Sequence, residues 1–125
     1  MLEVDVIGVA VPAAQVRQAC RLAAASAGVE RAHVAVEFVD AARMAELNAA
    51  HRGTPGPTDV LSFPVDDGDV AHGPRELGDV VICPEHTEDL LEAVVHGVLH
   101  LTGMDHETDD GEMLALQAEI RSWLA

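Results

Sequence analysis

The run His96-Gly97-Val98-Leu99-His100-Leu101-Thr102-Gly103-Met104-Asp105-His106 decides how this chain must fold. Two histidines four apart share one face of a helix. The third cannot continue on that helix, because ten residues at 1.5 Å each would carry His106 about 15 Å along the axis from His96. The helix must therefore end between His100 and His106. Gly103 is the place, since glycine enters the left-handed conformation that closes a helix C-terminus without steric cost. The chain then folds His106 back toward the other two imidazoles. Three neutral imidazoles suit zinc, at Zn–N distances of about 2.0–2.1 Å, and leave the fourth tetrahedral position to water. An open fourth position favours catalysis over a purely structural site.

Upstream of the run, Thr87 reads as the cap of the histidine helix, which extends to Thr102. At about 100° per residue, Leu90, Leu91, Val94, Val95, Val98, Leu99 and Leu101 occupy one broad side while His96 and His100 share the other. The histidines thus stand on the cleft side of a core helix. Before it, residues 79–83 (Asp-Val-Val-Ile-Cys) form a strand apolar enough to lie inside a sheet. Residues 59–64 form a short strand and 66–74 an acidic, glycine-containing turn. Residues 52–57 are a loop marked by glycine and proline. Asp40 caps a short helix through Met44 and Leu47 to about residue 50. Further upstream, residues 2–9 alternate apolar and acidic side chains as a half-buried strand does, and 33–39 repeat the alternation. Between these two strands Pro12 opens a helix with Val16, Ala19, Cys20, Ala23 and Ala27 at helical spacing, which Gly28 stops. After the histidines, a last helix over 109–124 has a capping box in Asp109 and Glu112 and packs Met113, Leu116, Ile120 and Trp123. The expected fold is α+β, a mixed four-stranded sheet packed with helices, as a single domain over 1–125.

Composition agrees with a globular domain. Apolar residues make up 49% of the 125 residues but aromatics only 2%, so Ala, Val and Leu must build the core around Phe38, Phe63 and Trp123. Cys20 and Cys83 match no CxxC pattern and read as small buried hydrophobes. The first residues carry neither a basic segment nor a long apolar run, so a cytoplasmic protein without a membrane span is expected. The formal net charge of −15, with all seven basic residues arginine, opposes nonspecific attraction to a polyanion. A nucleic-acid role would need a locally positive cleft, which a bound metal and a nearby arginine can supply.

The spacing His-x3-His-x2-Gly-x2-His is that of the metzincin peptidases, which place a glutamate directly after the first histidine as general base. Here that position is Gly97, which has no proton-accepting group. A glutamate-assisted peptidase mechanism is therefore excluded.

With these residues the chain resembles the YbeY family of bacterial endoribonucleases, whose hallmark run His-Gly-x-Leu-His-Leu-x-Gly-x-Asp-His matches eight of the eleven positions 96–106. The likeness extends to Leu47-Asn48, Arg52, the stretch 57–64 (Pro-Thr-Asp-Val-Leu-Ser-Phe-Pro), the stretch 77–83 and Met113. It implies a zincin-like, metzincin-like α+β fold with the zinc-binding helix at its centre, and one Zn2+ held by His96, His100 and His106. It further implies single-strand RNA cleavage in 16S rRNA 3′-end maturation and ribosome quality control, with the functional arginine at Arg52. Ribosomal RNA and the small ribosomal subunit are the partners it implies, with a ribosomal protein or an assembly GTPase beside them. Two departures stand out. Residues 84–95 form a shorter segment than in many relatives, and His51 stands where an aromatic such as tyrosine often precedes the arginine.

The residues themselves suit phosphodiester cleavage. The reaction needs a nucleophile, a Lewis acid on the phosphoryl oxygen and neutralisation of the charge that gathers there. Zinc can activate a water, or polarise the phosphate while the ribose 2′-hydroxyl attacks; Arg52 offers its planar fork to the phosphate. Asp105 has three readings: holding a histidine N–H, acting as a weak base, or forming a turn. Ser62 has no base partner for nucleophilic work, and Thr58 and Asp59 fix a loop-strand junction. His33, His72 and His86 lie outside the motif and read as solvated residues. Two other functions stay open on the residues alone: an atypical zinc hydrolase or peptidase, and a ribosome-assembly binding module with a mainly structural zinc.

Overall fold

Apolar and acidic side chains alternate from Leu2 to Asp5 because one face of this strand meets the core and the other meets water. The computed structural model describes residues 2–65, 75–105 and 107–124. The turn read over 66–74, with His72, and the third histidine, His106, lie outside the described residues. In chain order the elements are β1 (Leu2–Ile7), α1 (Ala13–Ser26), β2 (Ala32–Phe38), α2 (Ala41–Arg52), β3 (Val60–Pro64), β4 (Arg75–Ile82), a short 3-10 turn (Pro84–His86), α3 (Leu90–Leu101) and α4 (Glu112–Trp123). The sheet order is β1-β2-β4-β3. β1, β2 and β4 run parallel and β3 pairs antiparallel on the β4 edge. The expected mixed sheet with four strands is what the chain forms.

One sheet face carries the main core. Val34, Val36, Val80 and Ile82 from the strands meet Val16, Ala19, Cys20 and Ala23 of α1, the apolar side of α3, and Met113 and Ile120 of α4. Cys20 is fully buried, and desolvation of the thiolate pushes its pKa up to about 12, so it acts as a small hydrophobe. The opposite face has a smaller core of Met44, Leu61, Val81 and Cys83. It lies at the β3 end of the sheet, where α2 is anchored.

Helix α3 is the central element, touching α1, α4, β3 and β4. Burial of Leu91, Val94, Val95, Val98, Leu99 and Leu101 accounts for its position, and His96 and His100 remain partly exposed. Gly97 permits the close approach to the sheet. A Cβ there would stand 2.4 Å from Val80 Cγ1, well inside contact distance. A glutamate at this position would collide with β4.

Several boundaries differ from the sequence reading. α2 continues to Arg52, ended by Gly53 at φ 69°, so the arginine sits on the last turn of a helix instead of in a loop. β4 begins at Arg75, which lengthens it by four residues relative to a start at Asp79, because the segment pairs with β2 across an irregularity at His33/Val34. Thr87 does not cap α3. Asp89 does, its Oδ1 accepting the Glu92 N–H at 3.1 Å, while Thr87 Oγ1 donates to the Cys83 carbonyl at 2.7 Å. α4 begins at Glu112 with Gly111 at the N-cap. Asp109 still serves it from upstream, accepting the Gly111 and Met113 N–H groups at 2.8 and 2.9 Å. Trp123, at the helix end, is half exposed (50%) and does not join the core, whereas Leu124 does. Among the described residues no helix is long and apolar enough to cross a membrane.

Candidate metal and phosphate site

The end of α3 is built as its glycine requires. The Gly103 N–H donates to the His100 carbonyl at 3.0 Å and the Met104 N–H to the Leu99 carbonyl at 3.2 Å. This is the paired bonding of a Schellman closure, with Gly103 at φ 106°. The chain reverses there. Met104 and Asp105 come back along the helix, and the Met104 carbonyl accepts a hydrogen bond from His100 Nδ1 at 3.0 Å.

His96 is held in a parallel way by another helix. Its Nδ1 lies 2.7 Å from Gln117 Oε1 on α4. A carbonyl or amide oxygen can only accept, so in both rings Nδ1 carries a proton, and the neutral form of either ring has its lone pair on Nε2. That is the tautomer a metal ligand needs, and partners on the far nitrogen fix ring orientation as well. The ring centres of His96 and His100 are 4.7 Å apart. Two imidazoles sharing one tetrahedral zinc, at Zn–N distances of about 2.0–2.1 Å, have centres about 5 Å apart. The donor set on α3 therefore fits a zinc ion.

Both histidines line a cleft of about 980 Å³ that also takes in His51, Arg52, Ser62, Met104, Asp105 and Gln117. Arg52 reaches it from the end of α2 and is exposed. Asn48, one turn earlier and buried, donates from Nδ2 to the Gly56 carbonyl at 2.9 Å and so ties the loop after α2 to the helix. Asp59 orders the next junction, accepting the Val60 N–H at 2.8 Å through its side chain and the Cys83 N–H at 2.9 Å through its carbonyl. The junction role read for Asp59 is thus realised. Ser62 Oγ donates to the Gly97 carbonyl at 3.2 Å, a tie between β3 and α3.

Asp105 is exposed at the cleft edge and organises a turn. Its Oδ1 accepts the Glu107 N–H at 3.0 Å, and its carbonyl accepts the N–H groups of Thr108 and Asp109 at 3.2 and 3.1 Å. At the other end of α3, burial raises and the Arg121 guanidinium lowers the pKa of Asp89; the hydrogen bond from Arg121 Nε at 2.7 Å, with the Glu92 N–H, leaves it below the ordinary carboxylate value. His33 is not merely solvated. It bridges Asp5 and Glu76 across three strands, at 2.8 Å to each.

Gln117 is not among the site residues expected from the sequence. A signal existed: it stands four residues after Met113 and three before Ile120, a neutral polar group on an apolar stripe. The contact of His51 with Phe63, ring centres 4.3 Å apart, had no local signal at all.

The family model for Endoribonuclease YbeY matches residues 10–125. Endoribonuclease YbeY of Salinispora tropica is 45% identical over 117 residues, covering 74% of this chain and 74% of the relative. The Micrococcus luteus protein of the same name is 45% identical over 111 residues, covering 74% of this chain and 71% of the relative. Among solved structures, the solution structure of a Thermotoga maritima protein superposes with a TM-score of 0.58 at 30% identity, covering 94% of this chain and 85% of that one. The match along nearly the whole chain, with the histidine run and Arg52 inside it, makes this chain a member of the YbeY endoribonuclease family.

Proposed function

We propose that the protein is a zinc-dependent, single-strand-specific endoribonuclease that acts on ribosomal RNA in 16S 3′-end maturation and ribosome quality control. The observation that carries this reading is the cleft in which His96 and His100, both with Nδ1 bound to an oxygen acceptor, face the same space as Arg52. His96, His100 and His106 would hold the ion in a zincin-like arrangement on and just beyond the central helix. Zinc, when bound, supplies a Lewis acid where charge develops on the phosphoryl group. Arg52 binds that phosphate through its guanidinium fork, positioned by the last turn of α2 and the Asn48-tied loop. Asp105 is a positioning residue, since its oxygens are engaged in the turn on either side of position 106. Gln117 and the Met104 carbonyl orient the two imidazoles on α3. Ribosomal RNA in the small subunit is the substrate this reading assigns, with the cytoplasm as its place of action.

A peptidase reading has less support. Position 97 is buried against Val80, so the usual glutamate could not be accommodated there. The test compares single-turnover cleavage of a single-stranded rRNA 3′-end substrate by zinc-loaded wild type, Arg52→Ala and His100→Ala. Arg52→Ala is expected to lose about 10²–10³-fold in rate, the usual cost of removing a transition-state charge partner. Its melting temperature should stay unchanged, because Arg52 is exposed. Equal cleavage by all three after stringent purification refutes the assignment. Zinc binding that raises the melting temperature, with background cleavage by fully metallated protein, points to a binding module instead.

A further inference from the structure

The lining of the cleft is poor in positive charge. Among its described residues Arg52 is the one arginine, against the carboxylates of Asp59, Glu88, Asp89, Glu92, Asp105 and Glu107. A strand that relied on phosphate contacts alone would be held weakly here. Single-stranded nucleic acid has a second handle, the faces of its bases, which stack on rings irrespective of the local charge.

A ring is available next to the arginine. His51 is exposed, lines the cleft, and rests on Phe63 with ring centres 4.3 Å apart at 48°. Phe63 is itself packed on the small core of Met44, Leu61, Val81 and Cys83. The imidazole is therefore braced from beneath, on a helix end fixed by Gly53 and beside a loop held by Asn48. A braced ring loses little freedom when a base lands on it. We propose that His51, backed by Phe63, is a stacking platform for one nucleobase of the single-stranded substrate, adjoining the Arg52 phosphate site. This inference rests on the ribonuclease reading and names a base-binding subsite within it. Stacking without edge contacts makes the subsite tolerant of base identity.

The test measures binding of a short 2′-O-methyl phosphorothioate single strand to zinc-loaded protein by fluorescence anisotropy, with cleavage of the matching RNA followed separately. His51→Ala should weaken binding about tenfold, the ordinary scale for one base-aromatic contact. His51→Phe, which keeps a ring on Phe63, should stay within about twofold of wild type. In a scan of single abasic sites along the strand, one position should bind wild type and His51→Ala equally. The salt dependence of wild-type binding should be shallow, with a log-log slope of about −0.7 for one neutralised phosphate. Equal affinity of wild type and His51→Ala, in a protein that binds and cleaves single strands, overturns the subsite and leaves the ribonuclease reading standing. A wild type that neither binds nor cleaves overturns both.

Discussion

Replacing Gly97 by alanine puts the packing of the central helix to a quantitative test. The added Cβ would lie 2.4 Å from Val80 Cγ1, 3.0 Å from Cγ2 and 3.2 Å from Cβ. Carbon pairs rest at about 3.5–4.0 Å, so α3 must retreat by about 1 Å or the fully buried Val80 must leave its place. Overpacking of this kind costs about 1–3 kcal/mol. Alanine in mid-helix returns about 0.8–1.0 kcal/mol through helix propensity. The net expectation is a loss near 1 kcal/mol, which lowers the melting temperature by about 4 °C for a domain of this size. Urea unfolding with linear extrapolation measures it. The decisive comparison is a double-mutant cycle with Val80→Ala. With the two methyl groups gone, Gly97→Ala should change sign and stabilise by up to about 1 kcal/mol, a coupling of about 1–3 kcal/mol. Gly97→Ala should also slow cleavage by up to about 10²-fold, since His96 and His100 shift relative to Arg52. A Gly97→Ala protein more stable than wild type, or absence of coupling with Val80, refutes the close-approach reasoning.

Gln117→Leu removes the acceptor for His96 Nδ1 and should weaken zinc binding by about 10–100-fold in a chelator competition, with Gln117→Glu retaining an acceptor and most of the affinity. Unchanged affinity in the leucine variant would mean that the bond does not orient the ligand. His33 gives a pH signature. Hydrogen bonds that the protonated ring donates to Asp5 and then to Glu76 raise the His33 pKa above the ordinary 6.5 against a smaller desolvation effect, so the bridge stabilises the folded state fully below that value and fades as pH rises through the raised one. Urea midpoints of wild type should fall from about pH 6 to about pH 9 more than those of His33→Gln, and parallel profiles would remove His33 from the account.

Much of this molecule was legible in its sequence because the deciding signals are local. A helix that must stop before His106 is a statement about rise per residue, and Gly103 closes α3 with the two hydrogen bonds such a glycine calls for. The strand alternation from Leu2 and the Asp40 cap were legible for the same reason, each depending on neighbours a few residues away. Cap competition was harder to read. Thr87 and Asp89 are both good caps, and Asp89 prevails where Thr87 is drawn to the Cys83 carbonyl and Arg121 of α4 holds the aspartate.

Residue types and their spacing were enough to put two histidines on one helix face, to turn the chain back after them, and to remove the peptidase base. Tertiary structure alone decided that position 97 is pressed against Val80, that Gln117 and the Met104 carbonyl set both imidazole tautomers, and that Arg52 enters the cleft from a helix end with His51 braced on Phe63 beside it. Helix stops, caps and periodicity follow from interactions within a turn or two. Contacts such as His96 with Gln117, 21 residues apart, exist only once sheet order and helix packing have brought the elements together.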